Sequence, residues 1–204
     1  MKVKNSTVRL TLLGVFAAII LLLTFTPLGY LNLPLFSITF LTIPVVVGAI
    51  VLGPFDGAVL GLVFGISSVI HGIITGQGAL FLEANPLFYG VMCIVPRVLV
   101  GFLAGLIFKG LSKIDKHKFF SLAVVSLLGP LLNTVLFISA LILLYNGTVL
   151  DAWVSLSGAS LTLKDVLVTI VAVNGLWEAA AGLIVGTAIS KAVYELGKRL
   201  KLVA

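Results

Sequence analysis

Residues 87–108 read Leu87-Phe-Tyr-Gly-Val-Met-Cys-Ile-Val-Pro-Arg-Val-Leu-Val-Gly-Phe-Leu-Ala-Gly-Leu-Ile-Phe108, an apolar run with a single charge, Arg97. A helix rises 1.5 Å per residue, so a run of this length reaches about 33 Å. That is enough to cross a hydrocarbon core of ~30 Å. Outward from it, similar apolar stretches occupy residues 10–26, 38–52, 58–74, 119–145 and 166–189, the last with one acidic residue, Glu178. The stretch at 38–52 is short and follows Pro27, Gly29 and Pro34, which predicts an irregular entry. Only Gly53-Pro54-Phe55-Asp56-Gly57 separates it from the next stretch, a composition suited to a tight turn. The expected fold is therefore all-α: a polytopic membrane protein, one bundle of six transmembrane helices over residues 1–204.

Composition agrees. Charged residues make up 10% of the 204, hydrophobic residues 60%, and the mean hydropathy is +1.28. A water-soluble domain carries roughly 25% charged residues, so lipid is the expected solvent for most of this surface. The lone cysteine, Cys93, excludes an internal disulfide framework and reads as a small buried hydrophobe. The net charge of +6 does not point to nucleic acid, because the basic residues cluster at the ends of apolar runs.

That clustering sets an orientation. Lys2, Lys4 and Arg9 precede the first span; Lys109, Lys113, Lys116 and Lys118 join the fourth to the fifth; Lys191, Lys198, Arg199 and Lys201 follow the sixth. With six spans all eleven fall on one side, against Lys164 on the other. The positive-inside rule then places both termini in the cytoplasm. The basic start followed by an apolar run resembles a signal peptide. No small-x-small cleavage pattern follows it, so it is read as a retained helix.

Small residues recur at four-residue spacing: Gly57, Gly61 and Gly65; Gly101 and Gly105; Gly182 and Gly186; Gly14 and Ala18. Such faces let helix backbones approach closely where lipid offers no hydrophobic drive for association. Packing within the bundle accounts for most of them. The first helix, with plain Leu and Ile elsewhere, is the candidate for docking on another membrane subunit through Gly14, Ala17 and Ala18.

Ionisable groups inside a membrane are costly, by about 2.5–3.5 kcal/mol on insertion scales. Here they are His71, Arg97 and Glu178, accompanied by the amides Asn133 and Asn174. Counted from the outer span ends, all lie roughly 5–18 Å deep, between the outer interface and the midplane. A proton or ion path needs polar groups on both sides of the midplane; a pocket reached from outside does not. Asn174 and Glu178, four residues apart, share a helix face next to Trp177. Tyr89, one turn into its helix, is placed to cover the mouth above Arg97. Pro96 lacks a backbone donor and so frees a carbonyl near Arg97. The guanidinium fork suits a carboxylate or phosphate. Either Arg97 and Glu178 form an internal ion pair, or Glu178 partly neutralises Arg97 and a ligand anion completes the set. His71 reads either as a ligand group or as a helix-end histidine. The outer segments 25–30, 77–86 and 146–164, the last with Trp153, are candidate lids. Asn146-Gly147-Thr148 matches a glycosylation sequon in a chain whose architecture looks bacterial.

No P-loop, zinc-helix or nucleophile-elbow motif occurs, so no enzyme is expected and this chain is not expected to hydrolyse ATP by a P-loop itself. Six helices without an inverted pair of broken helices argue against a self-sufficient secondary transporter. An oligomeric channel or carrier acting alone remains the alternative class.

Several short motifs occur in order: Phe25-Thr-Pro-Leu-Gly-Tyr30, Ser37-Ile-Thr-Phe-Leu-Thr-Ile-Pro44, Gly48-Ala-Ile-Val-Leu-Gly-Pro54, Gly57-Ala-Val-Leu-Gly-Leu-Val-Phe-Gly65, Asn85-Pro86 and Pro96-Arg97. Over essentially the whole chain they resemble the substrate-binding S-components of energy-coupling factor (ECF) vitamin transporters, most of all the pantothenate type. The resemblance implies a six-helix bundle in the bacterial cell membrane that captures a vitamin from outside. It implies docking on a shared module of one transmembrane subunit and two ATPases, which supply the ATP chemistry. Where the family often carries Ala-x-x-x-Ala in helix 1, this chain has Gly14-x-x-x-Ala18. It further implies a carboxylate at Arg97, with amide and hydroxyl groups at Asn133, Asn174 and Asn85. Riboflavin, folate, pyridoxine and hydroxymethylpyrimidine are bound by related S-components and stay open as alternatives.

Overall fold

The computed structural model describes residues 6–32, 37–115, 117–145, 147–155 and 163–199. Helix α1 (Ser6–Thr24) leads into a β-hairpin of β1 (Tyr30–Asn32) and β2 (Ser37–Thr39), antiparallel with Tyr30 opposite Thr39. Helices α2 (Thr42–Leu52), α3 (Pro54–Thr75), α4 (Ala79–Ala84), α5 (Pro86–Leu111), α6 (Phe119–Leu144) and α7 (Gly147–Ser155) follow. A last helical rod comprises α8 (Leu163–Thr169), a π-helical turn (Ile170–Asn174), α9 (Gly175–Ala181), a second π-turn (Gly182–Gly186) and α10 (Thr187–Arg199). Among the described residues the fold is thus helical apart from one small hairpin. The sequon at Asn146 and the basic residues Lys2, Lys4, Lys116 and Lys201 lie outside the described residues.

Among the described residues five segments are long and apolar enough to cross a membrane: α1, α3, α5, α6 and Gly175–Lys198 of the rod. The expected span at 38–52 is different. Its first residues form β2, and α2 has only 11 residues, a rise of about 16 Å. Pro44 sits in the first turn of α2, where a missing N–H costs nothing. Every residue of α2 except Ile43 is buried, so this apolar run is an internal plug. The turn after it is also tighter than its composition suggested. Gly53 alone makes it, at φ 109°, a conformation that L side chains rarely adopt, and α3 begins at Pro54.

The most intimate helix pair is α3 with α5, and glycine is the reason. A methyl group at Gly57 would strike the carbonyl of Gly101, one at Gly61 the carbonyl of Arg97, and one at Gly105 the backbone of Pro54. Gly182 and Gly186 similarly accept Ser126 of α6. These glycines serve packing within the bundle. Gly14 has nothing near it and, like Ala18, faces outward; Ala17 instead packs on the core formed by Phe16, Ile20, Leu41, Val45 and Leu60. Arg9 reaches across from α1 to the start of α3 and grips buried Asp56 with two hydrogen bonds, of 2.5 and 2.6 Å.

Candidate functional site

At the end of the bundle where α3 finishes and α5 begins, the helices enclose a cavity of about 390 Å³. It lies away from the Arg9–Asp56 pair and Lys109, which mark the other ends of α3 and α5. Such a volume falls within the range of small-molecule pockets. The hairpin, α3, α5, α6, α7 and the rod all contribute to its wall.

From α5, Tyr89, Cys93 and Arg97 enter at successive four-residue steps. Pro96 has no N–H for the Met92 carbonyl, and Arg97 Nη1 donates to that carbonyl at 3.0 Å. The guanidinium carbon lies 4.8 Å from the Phe137 ring centre and 5.5 Å from that of Phe64. Both rings hold it by cation–π attraction. Arg97 Nε has no acceptor. The carbonyls of Arg97 and its neighbours are fixed by the glycine contacts with α3, so the side chain projects from a rigid wall.

Asn174 and Glu178 come from the rod. Every four-residue step on a plain α-helix drifts by about 40°. The two π-turns offset that drift, and Asn174, Glu178, Gly182 and Gly186 are all buried on one side. Such turns are frequent at functional sites. From α6, Asn133 and Thr134 complete this wall, one turn beyond Pro130. Glu178 is not the partner of Arg97: among the described residues the ion pair is Arg9–Asp56. Glu178 Oε1 instead accepts from the backbone N–H of Thr39 in β2, at 2.7 Å. Its other oxygen, together with Asn133 Oδ1, Asn174 Oδ1 and Thr134 Oγ1, has no hydrogen-bond partner. Of the two readings, the internal ion pair is absent among the described residues, and the Glu178 carboxylate instead pins the hairpin to the rod.

The roof is aromatic. Tyr30 stacks on His71 with ring centres 4.2 Å apart and hydrogen-bonds Ser68 at 3.0 Å. Tyr145 donates to the Phe81 carbonyl at 2.9 Å, and Phe81 packs on Trp153. Of the residues singled out from sequence, the cavity brings together Arg97, Asn133, Asn174, Glu178, Tyr89 and His71. Tyr89 is not an outer cover; it is buried, with its ring in space left by Gly72 and Gly78. Two others lie elsewhere. The Asn85 side chain accepts from the N–H groups of Leu87 and Phe88, capping α5, and Trp177 is 63% exposed on the far side of α9. Sequence reasoning missed Thr39, Ser68, Phe137 and Cys93 as wall residues. Only Cys93 carried a signal, midway between Tyr89 and Arg97 on one face.

The family model for the ECF transporter substrate-specific component matches residues 8–190. Among curated proteins, the pantothenic acid transporter PanT of Lactococcus lactis subsp. cremoris (strain MG1363) is 29% identical over 202 residues, covering 93% of this chain and 95% of that protein.

Proposed function

The chain belongs to the family of ECF transporter substrate-specific components, and from that premise we propose that it captures pantothenate in the cavity around Arg97. Membership makes it a transport protein rather than an enzyme, a multi-pass protein of the bacterial cell membrane with a vitamin-type substrate and an ECF module as its partner. Pantothenate is favoured by the similarity to PanT and by one observation above all. An arginine inside a membrane bundle lines a cavity with an unpaired N–H donor and, among the described residues, no carboxylate in ion-pair contact with it. A half-buried guanidinium in that position calls for an anion from elsewhere, and the vitamin's carboxylate supplies one.

In this reading α2 and the hairpin together fill the place of a sixth crossing, and both termini lie in the cytoplasm. The eleven basic residues on one side support that orientation. The cavity, at the other end of α3 and α5, then opens outward. The partner module consists of one transmembrane subunit and two ATPases, which meet the exposed Gly14–Ala18 face of α1 and provide the ATP hydrolysis.

A thermal-shift panel of B vitamins on the purified chain tests the substrate. A ligand at 100 times its Kd adds about 2.7 kcal/mol of stability. Pantothenate raises the melting temperature accordingly, while riboflavin, folate, pyridoxine and hydroxymethylpyrimidine leave it unchanged. A shift with one of those and none with pantothenate reassigns the substrate.

A further inference from the structure

Three oxygens in the cavity wall stand without a donor: Glu178 Oε2, Asn133 Oδ1 and Asn174 Oδ1. Their residues are deeply buried, at 1%, 4% and 9% exposure, and all three line the cavity. Buried polar atoms are nearly always hydrogen-bonded, so three orphans in one wall ask for a common partner. Glu178 is fixed for this task. Its Oε1 is occupied by the Thr39 N–H, while its Oε2 has no donor among the described residues. One oxygen is therefore committed to the protein and one is left for the cavity. Arg97 presents the opposite character, an unpaired N–H donor. The cavity is polarised, with donors at Arg97 and acceptors at the cluster of Asn133, Asn174 and Glu178.

We infer that Glu178 is a specificity-determining residue that, with Asn133 and Asn174, hydrogen-bonds the hydroxyl-bearing end of the ligand. The site then selects a hydroxylated acyl amide with a carboxylate at its far end. This rests on the pantothenate reading and adds which end of the molecule is read by which residues. Pantothenate brings two hydroxyls and one amide N–H, three donors for three orphan oxygens. Met92 and Phe137, which line the same cavity beside Arg97, provide apolar surface for its gem-dimethyl group.

The test compares pantothenate with its dideoxy analogue N-(3,3-dimethylbutanoyl)-β-alanine, which keeps the carboxylate and the amide, by calorimetric binding to the wild-type chain and to Glu178→Gln. Gln keeps an acceptor for the Thr39 N–H, so the hairpin anchor is retained. The wild-type chain binds pantothenate at least about 30-fold more tightly than the analogue, the scale of two net hydrogen bonds lost with the two hydroxyls. In Glu178→Gln that ratio falls at least about fivefold, since an amide NH2 replaces one of the two oxygens and the remaining one is held by the Thr39 N–H. A wild-type ratio within about threefold of one, or an undiminished ratio in Glu178→Gln, overturns the inference. Where Glu178→Gln fails to fold, Asn133→Ala and Asn174→Ala are read against the same fivefold threshold, and an undiminished ratio in both overturns the inference. Absence of any pantothenate binding to the wild-type chain overturns the functional reading as well, and is distinct from a chain that binds both ligands alike.

Discussion

Arg97 shows how a membrane protein holds a charge it does not neutralise. Two aromatic rings and the Met92 carbonyl accept the cation, and that carbonyl is free because the next residue able to claim it is Pro96. None of these partners carries a full negative charge, so the attraction for an anion is preserved. Arg97→Ala is expected to weaken pantothenate binding at least about 100-fold, the scale of a charge-assisted bidentate contact. Arg97→Lys recovers only part of it, because an ammonium cannot match both carboxylate oxygens at once. Calorimetry on the purified variants reads both; unchanged affinity in Arg97→Ala removes Arg97 from the site. The pairing of Pro96 with Arg97 could be read directly from adjacent letters. The partner of Glu178 could not, because the Thr39 donor is a backbone N–H and every residue type but proline carries one.

At the scale of elements, the α3–α5 pair is locked by its glycines. Gly61→Val would drive a branched side chain into the Arg97 carbonyl, and overpacking of this kind costs about 1–3 kcal/mol. A fall of several degrees in the melting temperature is expected, accompanied by weaker ligand binding as Arg97 is displaced. A variant as stable as wild type would show that the two helices can part without cost. The long spans were legible in sequence because length and apolarity alone decide them. The run 38–52 was misread for the same reason: an apolar plug inside a bundle and an apolar crossing in lipid have the same composition. Only Pro27, Gly29, Pro34 and the brevity of the run hinted at an irregular entry. The π-turns left no mark in the letters, since the four-residue stripe from Asn174 to Gly186 reads equally well as a drifting α-helix.

For the whole molecule, the outward face of α1 is the counterpart of the inward cavity. Gly14 has free space around it and Ala18 is exposed beside it, so Gly14→Leu leaves the fold and the vitamin affinity of the isolated chain unchanged. Reconstituted with an ECF module, the same variant is expected to lose at least about tenfold in ATP-driven uptake, if close backbone approach is what docking requires. Equal uptake would move the docking face elsewhere. The chain alone in liposomes is expected to give no sustained uptake, and steady transport there would favour a self-sufficient carrier. The two tryptophans of the molecule are divided between its two environments: Trp153 lines the cavity, while Trp177 stands 63% exposed on the opposite side of the rod. Nature has thereby built in an optical probe. Filling the cavity alters the polarity and quenching around Trp153 alone, so intrinsic fluorescence reports occupancy against a constant background. Trp177→Phe keeps the ligand-induced change and lowers the baseline, whereas Trp153→Phe abolishes the signal, and a fluorimetric titration of the two variants distinguishes them.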